Sequence, residues 1–310
     1  MKLTNKVLIT LSRTTRKLPY HRRLNQIYKH FNRLLLALGA EPVVEAKMQD
    51  GTTLLVDLST KTERISFYTG KYDPELIAIV QSLYNPDTCF LDVGANIGFY
   101  SVSMGNFIRS KKGSGKVVAF EPFEGNYLRF FNNLKINELL GICDANKFGL
   151  SNKCEDTEIT LREDFKHGSS TGNAAIRTSE AMDKGFKVSP IKLRILDNVW
   201  QEKYSDYNKI DIIKMDIEGH EDFCLAGGKE TIKENRPIIL MEVNKPYYNA
   251  RQVKLDELFF PLIPENYNIY GRNGTSWRLI KSLEDCKTID NVFLVPVERL
   301  GLKGYEVFEN

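Results

Sequence analysis

The sequence predicts an α/β fold built on a mostly parallel β-sheet, and three observations support it. Residues 88–91 form an apolar run typical of a buried strand, and a turn with two glycines leads from it into a predicted helix at 101–108. Residues 116–122 form a second apolar strand, which ends in Glu121. Further along, predicted strands alternate with helices up to residue 243, and this alternation favours a parallel sheet.

The glycine-containing turn is the first candidate for a ligand site. Its candidate residues are Asp92, Gly94, Ala95, Asn96 and Gly98. Such a turn lets the backbone approach a ligand closely and directs N–H groups at the helix N-terminus toward it. The turn lacks the third glycine of the dinucleotide-binding pattern, which counts against a nicotinamide cofactor.

Glu121 is the second candidate, because it ends the next strand 27 positions after Gly94. A right-handed strand–helix–strand unit brings that carboxylate beside the glycine turn, at the carboxyl edge of the sheet. There it can accept two hydrogen bonds from a ribose diol. The alternative is a solvated acid at a strand end.

Three segments resemble motifs of the FkbM-type methyltransferases, which use S-adenosylmethionine. They are residues 92–98, residues 119–122 followed by Asn126 and Asn133, and residues 210–221. The resemblance covers roughly residues 64–243. It implies a Rossmann-like class I methyltransferase sheet, mostly parallel with antiparallel C-terminal strands, and an O-methyltransferase acting on a sugar, glycan or secondary metabolite.

The resemblance also implies roles for the candidate residues. The glycine turn would bind the amino-acid end of S-adenosylmethionine, with Asp92 acting indirectly by fixing the turn, and Glu121 would bind the ribose. The adenine pocket is not readable, although residues 143–151 should contribute to it. Tyr68, Tyr72 and Glu75 would lie near the site, as would a loop at residues 166–173 with His167, Ser169 and Ser170. Ordinary core and surface roles are about as consistent with these residues.

Four further side chains follow the later strands and are candidates for catalysis: Asp216, Glu218, His220 and Glu242. A sugar hydroxyl needs a general base or a metal, because its pKa lies far above neutrality. Asp216 is the leading base and His220 the alternative, since an ordinary imidazole titrates near neutral pH. Asp216, Glu242 and His220 could hold Mg²⁺, but no spacing demands it, so the predicted site contains no metal.

The N-terminus differs from the rest of the chain in charge. Residues 1–40 contain nine Lys or Arg and no Asp or Glu, within a protein of net charge +3. We therefore divide the chain into a basic amphipathic helical arm (1–40), a hairpin and helix over the cofactor site (41–85), and a methyltransferase domain (86–310). The arm could pack on its own domain, lie on an anionic membrane or bind nucleic acid; packing is favoured and nucleic acid is the weakest choice.

Other local patterns are clear. Asp50-Gly51 predicts a tight turn between strands at 43–47 and 53–57, and Asp73 is the predicted cap of a helix at 74–83. Five scattered cysteines, with no apolar run of membrane-spanning length and no signal-peptide pattern, lead us to expect a cytoplasmic protein, peripheral at the membrane if the arm binds lipid.

Three other functions remain as alternatives: a nicotinamide-dependent oxidoreductase, an RNA methyltransferase that uses the basic arm, and a non-enzymatic scaffold. The expected partner is a small-molecule or glycan acceptor rather than nucleic acid. The oligomeric state is left open.

Overall fold

The computed structural model describes residues 3–16, 22–161, 174–176, 187–274, 276–302 and 304–309. Its strands in chain order are β1 Val43–Lys47, β2 Thr53–Asp57, β3 Cys89–Val93, β4 Lys116–Phe120, β5 Cys143–Asn146, β6 Gly149–Ser151, β7 Glu155–Leu161, β8 Ala174–Ile176, β9 Lys187–Ile195, β10 Ile210–Met215, β11 Ile238–Asn244, β12 Tyr267–Asn273, β13 Ser276–Ile280, β14 Ile289–Pro296 and β15 Phe308–Glu309.

The α-helices are α1 Leu3–Thr15, α2 Arg22–Ala37, α3 Lys61–Thr69, α4 Pro74–Leu83, α5 Phe99–Lys111, α6 Glu124–Ile136, α7 Leu196–Lys203, α8 Glu221–Gly227, α9 Lys229–Asn235, α10 Lys245–Ala250 and α11 Leu255–Phe259. Short 3-10 helices lie at Leu283–Asp285, Val297–Arg299 and Tyr305–Val307. None of the helices in the described part of the chain is both long and apolar enough to cross a membrane.

The central sheet has the predicted mostly parallel arrangement. Its strand order is β15-β13-β12-β14-β11-β10-β3-β4-β5. Strands β11, β10, β3, β4 and β5 run parallel to one another, whereas β14 pairs antiparallel with β11 and with β12, and β12 pairs antiparallel with β13, as expected at the C-terminal side. In the sheet, β4 lies on one side of β3 and β10 lies on the other, so the strand order changes direction at β3. This switch of direction opens a crevice at the carboxyl ends of the strands.

The sheet is buried on both faces, which explains the continuous apolar runs in the sequence. Every residue of β3 and of β10 is buried. One apolar core, containing Phe90 and Ile212, includes the N-terminal helices and the hairpin, and the other, containing Leu91 and Ile213, includes α7 to α9. The alternation of these neighbours between the two cores follows from the two-residue repeat of a strand.

The predicted hairpin is confirmed: β1 pairs with β2 from Val43↔Asp57 to Lys47↔Thr53. Helices α1 and α2 contribute Leu8, Tyr28 and Leu35 to the first core. The arm therefore packs on its own protein through part of its surface. The division of the chain at residues 40 and 85 stays a prediction.

Two predicted elements are wrong in their extent. In the sequence, residues 146–151 read as one strand, but β5 ends at Asn146 and β6 joins a second sheet of order β6-β9-β7-β8. The sequence also predicts one helix after residue 221 that runs to about Glu234, but the structure divides it into α8 and α9. Helix α8 ends at Gly227, which lies so close to β6 that a Cβ there would stand 2.0 Å from the Ser151 carbonyl oxygen.

Candidate active site

A cavity of about 250 Å³ lies at the carboxyl ends of the parallel strands. Its wall contains site residues predicted from the sequence, which lie at the ends of β3, β4, β10 and β11. It also contains aromatic residues that precede α5 or lie within it. The lining residues are Thr62, Tyr72, Val93, Gly94, Ala95, Asn96, Phe99, Tyr100, Phe120, Glu121, Pro122, Asn126, Gly149, Leu150, Ile159, Lys214, Asp216, Ile217, Glu218, His220 and Glu242. This is the crevice in which open α/β sheets bind their ligands.

The glycine turn follows β3 and packs against the neighbouring strand end. Gly94 has φ +82°, and a Cβ there would stand 2.1 Å from the carbonyl oxygen of Asp216. Gly98, at φ +90°, leaves no room for a Cβ beside the ring of Phe130 and does not line the cavity. Both glycines are thus needed for conformation and for close packing.

Three N–H groups of the turn do not point freely at a ligand, contrary to the expectation from the sequence. The N–H groups of Gly94 and Ala95 both donate to the carbonyl oxygen of Phe120, at 3.0 Å each. The Asn96 N–H donates to Glu121 Oε2 at 2.8 Å. The turn therefore binds to the end of β4, and it positions Glu121 rather than presenting these three donors to the cavity.

Glu121 is buried beside the turn, as predicted. Its Oε1 accepts a hydrogen bond from the Phe123 N–H at 3.0 Å, so both carboxylate oxygens are held by backbone donors. Burial raises the pKa of Glu121 to about 7, although those two hydrogen bonds oppose the shift. The Asn126 side chain also hydrogen-bonds to the carboxylate, so three of its roughly four acceptor positions are used and about one remains for a ligand hydroxyl.

Lys214 is a central residue of the site that the sequence analysis missed. It lies on β10 directly beside Asp92 of β3, and its Nζ is 3.5 Å from Asp92 Oδ1 and 3.5 Å from Asp216 Oδ2. The same ammonium donates to the Gly94 carbonyl oxygen at 3.1 Å. Burial lowers the pKa of Lys214, but the carboxylates of Asp216 and Asp92 outweigh it, and the net shift is upward.

Asp92 is fully buried and lies behind the cavity. Its Oδ2 accepts hydrogen bonds from Ser101, from the N–H at 3.1 Å and from the hydroxyl at 2.6 Å. Asp92 therefore ties α5 to Lys214 and through it to the glycine turn. This placement agrees with the indirect role expected for Asp92.

Asp216, Glu218 and Glu242 form an acidic group in the cavity wall. Each offers a carboxylate oxygen within 4.8 Å of the others, and oxygen ligands of this kind suit Mg²⁺ or Ca²⁺. Burial, followed by repulsion from Asp216, raises the pKa of Glu242 to about 8 and that of Glu218 well above its usual range. Asn244 Nδ2 donates to Glu218 Oε2 at 3.2 Å.

His220 does not belong to this acidic group, which corrects the ligand set considered from the sequence. Its Nε2 lies 3.0 Å from the hydroxyl of Ser151, and its ring packs against Phe223. Burial lowers the pKa of His220 to about 4. The imidazole is therefore neutral at pH 7, and its Nε2 faces Ser151 rather than the acidic group.

An aromatic wall faces the acids. Tyr72 stacks on Phe99 with ring centroids 3.9 Å apart, and the Tyr100 ring lies 5.3 Å from Lys214 Nζ. Burial raises the pKa of Tyr72 well above its usual range, and the negative charges of Asp216 and Asp73 add to the shift.

Three expectations for the segment before the glycine turn are corrected. Asp73 occupies the N-cap position of α4, but its side chain makes no cap hydrogen bond and instead accepts one from the Tyr100 hydroxyl at 2.7 Å. Tyr68 lies in the N-terminal core, where it donates to Asn32, and Glu75 pairs with Arg272. Neither lines the cavity. Residues 166–173 lie outside the described residues, and so do His167, Ser169 and Ser170.

Comparison with known proteins decides the family. The model of the methyltransferase FkbM domain matches residues 92–268, more than half of the chain. The chain belongs to the FkbM methyltransferase family. That family uses S-adenosylmethionine, and the matched segment contains every lining residue except Thr62 and Tyr72. It also contains all ten residues that the sequence analysis assigned to the site.

One curated relative is a methyltransferase named sdnD from Sordaria araneosa, 29% identical over 177 residues. The match covers 50% of this chain and 66% of that protein, slightly less than two thirds of its length. Among solved structures, a methyltransferase FkbM from Methylobacillus flagellatus aligns with a TM-score of 0.41 and 17% identity, over 94% of this chain and 58% of the other. An O-methyltransferase from Bacillus cereus aligns with a TM-score of 0.37 and 16% identity, over 71% and 76%.

Several lining residues have no signal in the sequence. Gly149, Leu150 and Ile159 reach the cavity from β6 and β7, and their positions depend on how the second sheet packs against the first. Thr62 reaches it from α3, outside the matched segment. Lys214 had a readable signal: it is a lysine that directly follows Ile212 and Ile213 and precedes Met215 in a strand that is buried throughout.

Proposed function

We propose that this FkbM-family protein transfers the methyl group of S-adenosylmethionine to a hydroxyl of a sugar, a glycan or a small secondary metabolite. The observation that carries the proposal is the position of two sets of carboxylates in one cavity. Glu121 lies beside the glycine turn at one part of the wall, and Asp216 and Glu242 lie at another. The first suits a ribose, and the second suits an acceptor that must lose a proton.

The residues around Glu121 fit the nucleoside part of the cofactor. Glu121 would accept a hydrogen bond from a ribose hydroxyl, and Pro122, Leu150 and Ile159 offer apolar surface for a flat heterocycle. The turn at Gly94 to Asn96, whose three N–H groups are already hydrogen-bonded within the protein, would contact the amino-acid end through its surface in the cavity wall. When bound, S-adenosylmethionine supplies an electrophilic methyl group with a leaving group that departs as a neutral thioether.

Asp216 is the proposed general base. Its side chain is 33% exposed, and the ammonium of Lys214 lies 3.5 Å away and fixes its orientation. His220 Nε2 faces the Ser151 hydroxyl, and Glu242, with a pKa raised to about 8, is mostly protonated near neutrality. The position of Asp216 in the cavity wall and its contact with Lys214 therefore make it the proposed base.

The aromatic wall has a role in keeping the reaction dry. Tyr72, Phe99 and Tyr100 cover the side of the cavity that faces Asp216 and Lys214. Methyl transfer requires in-line approach of acceptor oxygen and methyl carbon and the exclusion of water. We assign these rings to that task.

The test is transfer of a labelled methyl group from S-adenosylmethionine to a panel of hydroxyl-bearing glycans and metabolites. The proposal predicts a product whose methyl label survives mild base, as an ether does and an ester does not. Asp216→Asn should reduce turnover by roughly a hundredfold or more, the usual contribution of a general base. Asp206→Asn, at an exposed position outside the cavity, is the matched control.

Full activity of Asp216→Asn would remove Asp216 from the mechanism. Labelling of RNA instead of any small hydroxyl acceptor would favour the RNA alternative. The nicotinamide-dependent alternative is set aside by the family match.

A further inference from the structure

Helix α2 is apolar on two adjacent sectors, and the described part of the chain covers only one of them. The covered sector contains Tyr28, which is 5% exposed, and Leu35, which is 7% exposed. Tyr28 stacks on Tyr68 of α3 with ring centroids 4.1 Å apart, and the Tyr68 hydroxyl donates to Asn32. This sector explains how the arm is attached to the rest of the protein.

The second sector faces solvent. Ile27 is 59% exposed, Leu34 is 57% exposed, and Leu38, directly after the helix, is 62% exposed. Phe31 lies between them along the helix and is only partly buried. The spacing of these four residues, at intervals of four, three and four, forms one continuous stripe on a helix. Among the residues that the structure describes, packing leaves this stripe without a cover.

The charge of the same segment limits what can cover the stripe. Residues 1–40 hold nine Lys or Arg and no acidic residue, and Lys6, Arg13 and Arg33 are exposed. A second copy of the arm would bring like charges together. A nucleic acid would match the charge but would offer nothing for three exposed aliphatic side chains, since single-stranded sites use aromatic stacking. Aliphatic side chains flanked by cations match an anionic lipid surface.

We infer that the stripe of Ile27, Phe31, Leu34 and Leu38, with the basic residues around it, docks on a membrane surface that contains anionic lipids. The aliphatic side chains enter the boundary between headgroups and acyl chains, and the basic side chains contact phosphate groups. This inference is independent of the proposed methyl transfer, because it uses none of the residues of the cavity.

Docking would also place the cavity near the membrane. Helix α3 joins the two regions, since Tyr68 packs on α2 and Thr62 lines the cavity. Six residues of a helix span about 9 Å. An acceptor exposed at a bilayer surface would therefore lie within reach of the domain that holds Asp216.

The test is flotation of the purified full chain with vesicles of phosphatidylcholine alone and of phosphatidylcholine with about 30% phosphatidylglycerol. The inference predicts binding to the anionic vesicles, at least roughly tenfold tighter than to neutral ones and weakened by high salt. Leu34→Gln/Leu38→Gln should reduce binding by roughly tenfold or more, because both apolar contacts are lost. Leu128→Gln/Leu302→Gln is the matched control, since those leucines are 53% and 54% exposed elsewhere.

The inference would be overturned if the protein did not bind anionic vesicles. It would also be overturned if the Leu34/Leu38 variant and the control variant lost vesicle binding equally. A concentration-dependent dimer or an RNA complex that the Leu34/Leu38 variant abolishes, without vesicle binding, would identify a different occupant and also overturn it. Thermal unfolding checks that the variant is folded. The Arg13→Glu/Arg33→Glu variant provides a second test of the inference. It should weaken binding to anionic vesicles and leave binding to neutral vesicles unchanged.

Discussion

Lys214 and Asp92 lie side by side on neighbouring parallel strands, with Nζ 3.5 Å from Oδ1 and both side chains buried. Asp92 holds the start of α5 through Ser101, and Lys214 holds the Gly94 carbonyl and faces Asp216. One ion pair thus connects the glycine turn with the proposed base. We therefore expect it to stabilise the folded site as well as to orient the groups in it.

Lys214→Met should destabilise the protein strongly, because Asp92 would remain buried without its counter-charge. Breaking a buried pair on one side costs about 3–5 kcal/mol of unfolding free energy. Denaturant unfolding measures it, with the exposed Lys209→Met as control. Adding Asp92→Asn to Lys214→Met should restore part of the loss. A loss under about 1 kcal/mol would show that the pair is unimportant for stability.

Gly94→Ala and Gly51→Ala separate crowding from backbone strain. Both glycines have positive φ, +82° and +86°, but a Cβ meets the Asp216 backbone only at Gly94 and meets nothing within 4 Å at Gly51. Gly51→Ala should cost about 1 kcal/mol, the penalty of left-handed backbone for a residue with a Cβ. Gly94→Ala should cost more and abolish binding of S-adenosylhomocysteine. Equal effects in thermal unfolding and calorimetry would contradict the close approach of the turn to Asp216.

Glu242→Gln should change the pH dependence of stability. The pKa of Glu242 is raised from its ordinary 4.5 to about 8 by burial and by repulsion from Asp216. Between these values the folded carboxyl keeps a proton that the unfolded chain has lost, so its contribution to stability is full below about pH 4.5 and disappears as the pH rises through 8. The glutamine lacks this loss, so the variant should gain stability relative to wild type from pH 5 to 8.

Thermal unfolding across that pH range measures the effect, with exposed Glu234→Gln as control. Parallel curves for wild type and Glu242→Gln would show that Glu242 titrates normally.

Removal of divalent metal ions should leave cofactor binding nearly unchanged. Although Asp216, Glu218 and Glu242 lie close enough to hold an ion, the Lys214 ammonium already faces Asp216, and the raised pKa values of Glu218 and Glu242 favour their neutral forms. The dissociation constants of S-adenosylhomocysteine in EDTA and in Mg²⁺ should agree within about twofold. Metal binding would be linked to ligand binding only if the ion contributed to the binding of the ligand. A tenfold or greater loss in EDTA would make the acidic group a metal site.

The sequence was informative where topology alone places a side chain. Glu121 and Asp216 end parallel strands, so any right-handed α/β arrangement brings them to one edge, and the apolar runs of β3 and β10 are unambiguous. The sequence was less informative where placement depends on packing between distant segments. Lys214 was missed because its partner Asp92 comes from another strand, and Tyr68 and Glu75 were misplaced because their partners lie on α2 and β12.

Calorimetric titration with S-adenosylhomocysteine, comparing wild type with Glu121→Gln and Glu124→Gln, tests the central claim most directly. Glu124 is the matched control: it opens α6 and pairs with Lys147 at the surface. At about pH 8.5, above its pKa of about 7, Glu121 is charged, and hydrogen bonds to a charged group are worth about 1.5–3 kcal/mol. At that pH Glu121→Gln should weaken binding roughly tenfold or more, while Glu124→Gln leaves it unchanged. Absence of binding by the wild type, or equal affinity in all three proteins, would contradict the assignment of this cavity to the methyl donor.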